Sequence, residues 1–247
     1  MGASSGIGYH CAEALASRGV RVGLAARHTE ALAELARKYP EYVEYSSIDV
    51  TKPEASAQLL KLIDTLGGMD FYFHVAGVGF ENMSLDPELE VGMFETNTVG
   101  VVRCVCTAYR YFRDKSIRGH IAVFSSVAGT NGIARISAYS ASKAAVQKWL
   151  VALEQLSNIT GAGITFSDIR PGWIDTSLLT PGCKYPLEMQ VDYAVPRILK
   201  AMLSKKRVAV IDWRWNIVVG LWRLIPDAIW TRLNIPLSNP DQPLPRV

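Results

Sequence analysis

Short apolar runs alternate with amphipathic helical stretches along most of this sequence, and that alternation constrains the fold more than any other feature. Runs rich in Val, Ile, Tyr and Phe lie at residues 20–25, 43–47, 71–75, 120–124, 164–169 and 207–211. Helix-forming residues at helical spacing separate them, at residues 7–17, 29–38, 54–66, 89–112 and 141–156. Because right-handed crossovers place helices on both faces of a parallel sheet, this order is typical of such a sheet. The pattern predicts one α/β domain with a doubly wound parallel sheet over residues 1–211.

The composition limits the class of protein. Of 247 residues, 49% are hydrophobic and 20% are charged, which indicates a globular rather than a disordered chain. The net charge of +3 is mild, so we expect no nucleic-acid partner. The four cysteines and four histidines have no metal-ligand spacing, so we expect no metal site. Free thiols are typical of a reducing compartment, which favours a cytoplasmic location.

A glycine-rich loop opens the sequence, before the first predicted helix. Gly2-Ala3-Ser4-Ser5-Gly6-Ile7-Gly8 has the spacing Gly-x-x-x-Gly-x-Gly. Glycines let the backbone approach a pyrophosphate closely, and the helix amino terminus supplies N–H donors and a favourable dipole. Such a loop should follow a central strand, but only Met1 precedes it. We therefore expect that the first central strand is missing from this sequence and that the natural chain begins earlier.

The end of the run at residues 20–25 indicates which dinucleotide would bind. A carboxylate there would bind the ribose 2′-hydroxyl of NAD, whereas an arginine accommodates the 2′-phosphate of NADP. The sequence has Ala26 followed by Arg27. An arginine at a strand end also occurs simply as a surface residue, but beside the glycine-rich loop it favours NADP.

Tyr139 and Lys143 lie one helical turn apart, on the same face of a predicted helix. An ammonium near a phenol should lower the phenol's pKa from about 10, which makes proton exchange at neutral pH easier. Tyr111 and Lys115 have the same spacing, so the motif alone is not specific. Ser126, thirteen residues before Tyr139, follows the predicted strand 120–124, at the ligand-binding edge of the sheet. We therefore predict that the first pair is catalytic and that the second is a coincidence on a surface helix.

These segments together resemble the short-chain dehydrogenase/reductase family over residues 2–211. The matching segments, in chain order, are the loop 2–8, Asp49-Val50, Ala76-Gly77, Asn97-Thr98-Val99-Gly100, Ser125-Ser126-Val127-Ala128-Gly129, Tyr139 to Lys143, and Pro171-Gly172-Trp173-Ile174-Asp175-Thr176. Each segment alone is a weak signal, but their order and separation are specific. The resemblance implies a Rossmann-like fold and hydride transfer between a nicotinamide and a carbonyl or alcohol carbon.

The resemblance also implies a role for each matching residue. Tyr139 would be the general acid in reduction and the general base in oxidation, and Lys143 would lower its pKa and hold the nicotinamide ribose. Ser126 would donate a hydrogen bond to the substrate oxygen, and Asn97 would support a water that relays protons to Lys143. The implied cofactor-binding residues are Gly2, Ser4, Ser5, Gly6, Ile7, Gly8, Arg27, Asp49, Val50, Ala76, Gly77, Tyr139, Lys143, Pro171, Ile174 and Thr176.

One segment departs from the family pattern. Where the family has Asn-Asn-Ala-Gly, this sequence has His74-Val75-Ala76-Gly77. The Ala-Gly pair, which lets the cofactor ribose approach the backbone, is kept. The hydrogen bonds of the two asparagines must be replaced, and we expect His74 to be a structural histidine rather than a catalytic base.

The carboxyl-terminal residues 212–247 differ in character from the rest and are predicted to be an extension that packs on the same domain. Four tryptophans, Trp213, Trp215, Trp222 and Trp230, lie here. The apolar run 217–222 is too short to span a bilayer, so it covers the substrate pocket, meets another subunit or lies peripherally on a membrane. The residues from 236 onward, rich in proline, indicate an extended tail.

Several functions stay open at this point. The leading one is an NADP-dependent oxidoreductase, a general ketone or hydroxysteroid-like reductase, that acts on a small-molecule carbonyl or alcohol substrate, either polar or apolar, in a homodimer or homotetramer. The runner-up is a ketoacyl-thioester reductase. A nucleotide-binding protein of the same fold without turnover is the third, favoured by the altered His74-Val75 pair.

Overall fold

The computed structural model describes residues 1–176, 178–179 and 182–235. Its strands are β1 (Val22–Ala26), β2 (Val43–Ser47), β3 (Phe71–His74), β4 (His120–Phe124), β5 (Thr165–Pro171) and β6 (Val208–Ile211). Its α-helices are α1 (Gly6–Ala16), α2 (Glu30–Lys38), α3 (Ala55–Thr65), α4 (Pro87–Phe94), α5 (Val101–Asp114), α6 (Ser137–Thr160), α7 (Val191–Leu203), α8 (Trp213–Trp222) and α9 (Asp227–Trp230). Each predicted strand is present, with its ends within two residues of the prediction.

All strand pairs are parallel, as strand-helix alternation predicts. β1 pairs with β2, and a second group has the order β3-β4-β5-β6. Helices cover both faces, so the single α/β domain with a doubly wound parallel sheet is confirmed. The carboxyl ends of β3, β4 and β5 therefore meet at one edge, where ligands bind in such sheets.

A gap one strand wide separates β1 from β3. The amino-terminal nitrogen of Met1 donates to Phe73 O at 2.9 Å, and Gly2 N donates to Ala25 O at 2.7 Å, so Met1-Gly2 bridges the two strands at one end of the gap. Beyond this bridge lies a cavity of about 700 Å³ between residues 22–25 and 71–73. No strand of the described residues fills it. The expectation that this sequence lacks the first central strand is therefore confirmed for the part that the structure describes.

The predicted helix at residues 89–112 is one continuous helical stretch with a different turn in its middle. Pro87 begins α4, and the side chain of Asp86 caps it by accepting from Glu88 N at 3.0 Å. Residues Glu95–Gly100 form a π-helical turn between α4 and α5. Such turns are frequent at functional sites, and this one contains Asn97.

Two cores sandwich the larger group of strands. On one face α3, α5 and α6 pack on the sheet through buried residues such as Leu62, Phe112 and Leu150. On the other face α1, α7 and α8 do so through residues such as Cys11, Ile198 and Trp215. Within the described residues no helix is long and apolar enough to cross a membrane. The predicted extended tail, 236–247, lies outside the described residues.

Candidate active site

The catalytic candidates converge from three elements on the edge formed by the strand carboxyl ends. Ser126 follows β4 and caps a short 3₁₀ helix, Val127–Thr130, with its Oγ accepting from Ala128 N at 3.1 Å. Tyr139 and Lys143 lie on one face of α6, with the ammonium 5.6 Å from the centre of the phenol ring. Asn97 lies in the π-helical turn. Residues from three separate segments of the sequence are therefore gathered at one site.

Burial dominates the acidity of Tyr139. Loss of solvent raises the pKa of the phenol above its ordinary value, and a hydrogen bond with Ser126 opposes that rise without reversing it. The expectation that Lys143 brings the pKa of Tyr139 down is therefore wrong for this structure. The physical reason is that the apolar surroundings stabilise the neutral phenol. The phenol of Tyr139 is therefore neutral at neutral pH, with the hydroxyl of Ser126 as its hydrogen-bond partner.

Lys143 is almost fully enclosed, with 3% of its surface exposed. Its Nζ donates to Phe124 O, the last carbonyl of β4, at 3.1 Å. Burial lowers the pKa of the ammonium from 10.5 to about 8, although the negative charge of Asp168 opposes that change. Lys143 is therefore hydrogen-bonded at the sheet edge, and its pKa lies within about one unit of neutral pH.

Asn97 braces the loop that follows β3. Its Oδ1 accepts from Val78 N at 2.8 Å, and its Nδ2 donates to Val78 O at 2.7 Å and to Ser142 Oγ at 3.2 Å. Gly77 lies between this amide and the lysine, since a Cβ there would be 3.0 Å from Asn97 Oδ1 and 3.2 Å from Lys143 Nζ. A side chain at position 77 would therefore disturb both groups at once.

A buried polar network behind Ser126 was not predicted from the sequence. Gln147 Nε2 donates to Ser126 O at 2.7 Å. Ser125 donates to Asp168 on β5, which also forms an ion pair with Arg170, and all three are buried. Only the position of Gln147, one turn beyond Lys143 on α6, carries a local signal. The contacts with β5 join residues that are 43 apart in sequence and give no local pattern.

Two glycines of the glycine-rich loop, Gly2 and Gly8, are packed so closely that neither position has room for a side chain. Gly2 has a φ of +85°, and a Cβ on it would lie 2.5 Å from Ala76 N. A Cβ on Gly8 would lie 2.0 Å from Gly2 O. Ser5, the N-cap of α1, makes no side-chain capping hydrogen bond. The first-turn N–H groups of α1 are therefore not capped by a side chain and remain available to an anion.

A cleft of about 450 Å³ runs from this loop to Tyr139. Fourteen of the sixteen predicted cofactor-binding residues line it: Gly2, Ser4, Ser5, Gly6, Ile7, Gly8, Arg27, Asp49, Val50, Ala76, Gly77, Tyr139, Lys143 and Thr176. Burial raises the pKa of Asp49, but two hydrogen bonds from Thr51 and the positive charges of Arg27 and Lys52 together hold it below its ordinary value. Arg27 and Asp49 therefore lie near each other at the far end of the cleft.

A second, apolar pocket of about 270 Å³ meets the cleft at Tyr139. Ser126 lines it, and so do Pro171 and Ile174, the two predicted cofactor residues that the cleft lacks. Ile7, Phe80, Phe124, Tyr139, Thr176 and Leu178 belong to both cavities. Tyr139 thus lies where the extended cleft and the apolar pocket join, with Ser126 on the pocket side.

The competing pair lies elsewhere. Tyr111 and Lys115, at the end of α5, line neither the cleft nor the apolar pocket. His74 is also outside both; its Nδ1 is 2.9 Å from the hydroxyl of Tyr72, and burial lowers its pKa well below the ordinary value. Its Nε2 has no hydrogen-bond partner. No cluster of three or more potential metal ligands occurs in the described part of the chain.

Comparison with known proteins identifies the family. The model of the short chain dehydrogenase family matches residues 1–182. The chain belongs to the short-chain dehydrogenases. It is 30% identical over 236 residues to an uncharacterized oxidoreductase of Myxococcus xanthus, covering 93% of this chain and 92% of that protein.

Two solved structures have the same fold. An alcohol dehydrogenase from Thermococcus sibiricus, complexed with 5-hydroxy-NADP, has a TM-score of 0.70 at 27% identity and covers 85% of this chain and 92% of that one. A variant of actinorhodin polyketide ketoreductase with NADPH has a TM-score of 0.65 at 28% identity and covers 72% and 70%. Family and fold make the chain an oxidoreductase.

Proposed function

We propose that the protein is an NADP-dependent oxidoreductase that transfers a hydride between the nicotinamide and a carbonyl or alcohol carbon. The observation that carries the proposal is the junction of the two cavities at Tyr139. A cleft that begins at a helix amino terminus suits a dinucleotide, and an apolar pocket with two hydroxyls at its base suits a carbonyl compound. The junction would bring the reacting carbons of both ligands beside one proton donor.

The residues present fit a dinucleotide. The uncapped first turn of α1 offers N–H donors to a pyrophosphate, and the tight packing at Gly2 and Gly8 leaves no room for a side chain at these two positions. Arg27 is exposed at the end of β1 and Ala26 beside it has no carboxylate, which favours the 2′-phosphate of NADP. The Thermococcus sibiricus relative was solved with an NADP derivative, which supports the same choice. NADP would supply the hydride donor or acceptor.

Each catalytic residue has a proposed role that its surroundings support. Tyr139, kept neutral by burial, gives its proton to the substrate oxygen during reduction. Ser126 donates a hydrogen bond to the same oxygen and stabilises the charge that develops there. Lys143, whose pKa is about 8, would hold the nicotinamide ribose, supply positive charge near Tyr139 and pass protons to it. Asn97 is a positioning residue that fixes the loop at Val78.

The experiment is reduction of a panel of ketones and aldehydes with NADPH, followed at the nicotinamide absorbance. Tyr139→Phe removes only the phenolic oxygen, so we expect turnover to fall by about 10²-fold or more while the fold and NADPH binding stay intact. Tyr111→Phe is the matched control and should keep wild-type activity. Equal loss in the two variants, or no turnover of any carbonyl by the wild type, would contradict the proposal.

A ketoacyl-thioester reductase is the second candidate, favoured by the 28% identity to a polyketide ketoreductase. An acetoacetyl thioester in the same panel separates the two. If the thioester is reduced with a kcat/KM about ten-fold above that of every simple ketone, this candidate replaces the first. A protein that binds NADPH but turns over none of these substrates would be the non-catalytic alternative.

We also propose that residues 212–247 extend the same domain and that the protein is a cytoplasmic homo-oligomer. Trp215 and Val219 of α8 pack into the core with α7, which supports the first point. Val151, Leu156 and Ile159 on α6 are exposed apolar side chains, which supports self-association. Gel filtration with light scattering tests the oligomer, and a monomer at micromolar concentration would refute it. Peripheral membrane contact through α8 stays a secondary proposal that vesicle flotation tests.

A further inference from the structure

The apolar pocket beside Ser126 and Tyr139 has almost no charge on its walls. Among the described residues that line it, only Glu81 is formally charged, and no Lys, Arg or His is present. The carboxylate of Glu81 is already bound by Arg135, with Oε2 at 2.7 Å from Nη2 and at 3.0 Å from Nε. The described walls therefore offer no cation to an anionic substrate group, and their one carboxylate is paired with Arg135 through Oε2, whereas its buried Oε1 has no hydrogen-bond partner.

Indole rings supply much of the wall. Trp173, Trp215 and Trp222 line the pocket, and Trp222 is in edge contact with Trp215 and with Trp230, the ring centres being 6.1 Å and 5.4 Å apart. Val218, one turn before Trp222 on α8, lines it as well. The carboxyl-terminal helices thus contribute directly to the space beside the catalytic hydroxyls.

Hydrogen bonds fix this wall to the loop between Ser126 and Tyr139. Asn131 Nδ2 donates to Trp222 O at 3.1 Å, and Trp230 Nε1 donates to Gly132 O at 2.6 Å. The two anchored residues, 131 and 132, belong to the segment that joins the serine motif to α6. Trp222 and Trp230 are therefore held in a fixed position relative to Ser126 and Tyr139, which is needed if they are to select substrates by shape.

We propose that the site takes ketones, or the matching alcohols, whose body beyond the reacting carbon is bulky, branched or bicyclic, uncharged and apolar. This substrate class rests on the proposed function, since Tyr139 and Ser126 must hold the reacting oxygen. An apolar body gains free energy by leaving water for this pocket, whereas an anion loses hydration that the walls do not replace. The volume of about 270 Å³ lies near the lower end of small-molecule sites, which excludes large conjugates from the interior.

Three ketones with the same ring and the same reacting carbonyl test the proposal: cyclohexanone, 4-tert-butylcyclohexanone and 4-oxocyclohexanecarboxylate. Binding is measured without cofactor by the change in tryptophan fluorescence, because three indoles line the pocket. Turnover with NADPH is measured separately. We expect the tert-butyl ketone to bind about ten-fold or more tightly than cyclohexanone, and the carboxylate to bind more weakly than either.

Two tryptophans of α8 give a matched pair of variants. Trp222 lines the pocket, whereas Trp213 is 66% exposed and does not. Trp222→Ala should remove about five-fold or more of the tert-butyl preference, and Trp213→Ala should leave it unchanged. Val218→Phe serves if Trp222→Ala fails to fold, because the larger ring fills the pocket and should weaken binding of the tert-butyl ketone while cyclohexanone still binds.

The outcomes separate the substrate class from the reaction. The substrate class is supported if the wild type binds the tert-butyl ketone preferentially and Trp222→Ala or Val218→Phe loses that preference. If this binding is seen but no ketone is reduced, only the proposed reaction is refuted. Reduction of all three ketones with equal affinities leaves the reaction standing and overturns the substrate class. Preference for the carboxylate, or saturable binding of none of the three, also overturns it.

Discussion

Replacing Lys143 with methionine should abolish activity. Its effect on the free energy of unfolding should depend on pH and become less favourable to the variant as pH rises above 8. The lysine is buried, and its pKa falls from 10.5 to about 8 in the folded protein. At 1.36 kcal/mol per pKa unit, folding with the charged ammonium costs about 3 kcal/mol below pH 8. Methionine has a similar length and no charge, so it avoids that cost. Against this, the variant leaves Phe124 O without its donor, which costs about 1–3 kcal/mol.

The pH dependence follows from proton counts in the folded and unfolded chains. Between pH 8 and 10.5 the unfolded chain still holds the Lys143 proton, whereas the folded protein has released it. Stability therefore rises with pH across this window, by about 2–3 kcal/mol at pH 10. Below pH 8 both states are protonated and this contribution is constant. The Lys143→Met variant lacks the whole effect, so its stability relative to wild type should fall steadily from pH 8 upward.

Urea unfolding followed by circular dichroism, at half-unit steps from pH 7 to pH 10, measures this difference. Lys148→Met, an exposed lysine on the same helix, is the control and should follow the wild type at every pH. The difference between Lys143→Met and wild type cancels other groups that titrate in this range. Parallel profiles for Lys143→Met and wild type would show that the buried ammonium is not destabilised, and would refute the reasoning.

Three further predictions concern the cofactor cleft and the sheet. Arg27→Ala should weaken the binding of NADPH about ten-fold and leave that of NADH unchanged, since an exposed charge-assisted contact is at the low end of about 1.5–3 kcal/mol. Fluorescence titrations measure both affinities, and equal affinities of the wild type for NADPH and NADH would refute the NADP assignment. Gly8→Ala should lower the free energy of unfolding by about 1–3 kcal/mol and weaken NADPH binding, because the new Cβ would lie 2.0 Å from Gly2 O. Calorimetry measures the loss, and an unchanged melting curve would show that the loop backbone shifts to make room for the Cβ. Five strand-forming apolar residues fused ahead of Met1 should raise the melting temperature by filling the slot between β1 and β3, whereas a scrambled polar fusion should not.

Local signals in the sequence predicted the elements well and the site in part. Apolar and β-branched runs predicted the strand ends to within two residues, although β2 and β5 also carry polar side chains. Tyr139 was separated from Tyr111 because a serine follows the strand before it, and both cavities meet at the chosen tyrosine. That separation used topology rather than the motif. Strand carboxyl ends collect at one edge of the sheet whatever the loops between them do, and the catalytic role of Tyr139 stays a prediction.

What the sequence could not predict depended on distance in three dimensions. Gln147 on α6 donates to Ser126 O and to Ser125 Oγ, and Ser125 donates to Asp168, the ion-pair partner of Arg170 on β5. Apart from the position of Gln147, no spacing in the sequence indicates this network. The π-helical turn at Asn97 interrupts a run that has ordinary helical composition. The pKa of Tyr139 was predicted in the wrong direction, because spacing gives the distance to a lysine and says nothing of burial.

Burial pushes both members of the catalytic pair toward their neutral forms. It raises the pKa of Tyr139 and lowers that of Lys143 to about 8, so the phenol keeps its proton at neutral pH. A protonated phenol is the form that carbonyl reduction consumes, whereas alcohol oxidation requires the same group to accept a proton. The hydrogen bond with Ser126 favours the phenolate but is outweighed by desolvation. If Tyr139 is the proposed proton donor, a carbonyl substrate would therefore meet it in its protonated form at neutral pH, while the buried ammonium of Lys143 costs the fold stability.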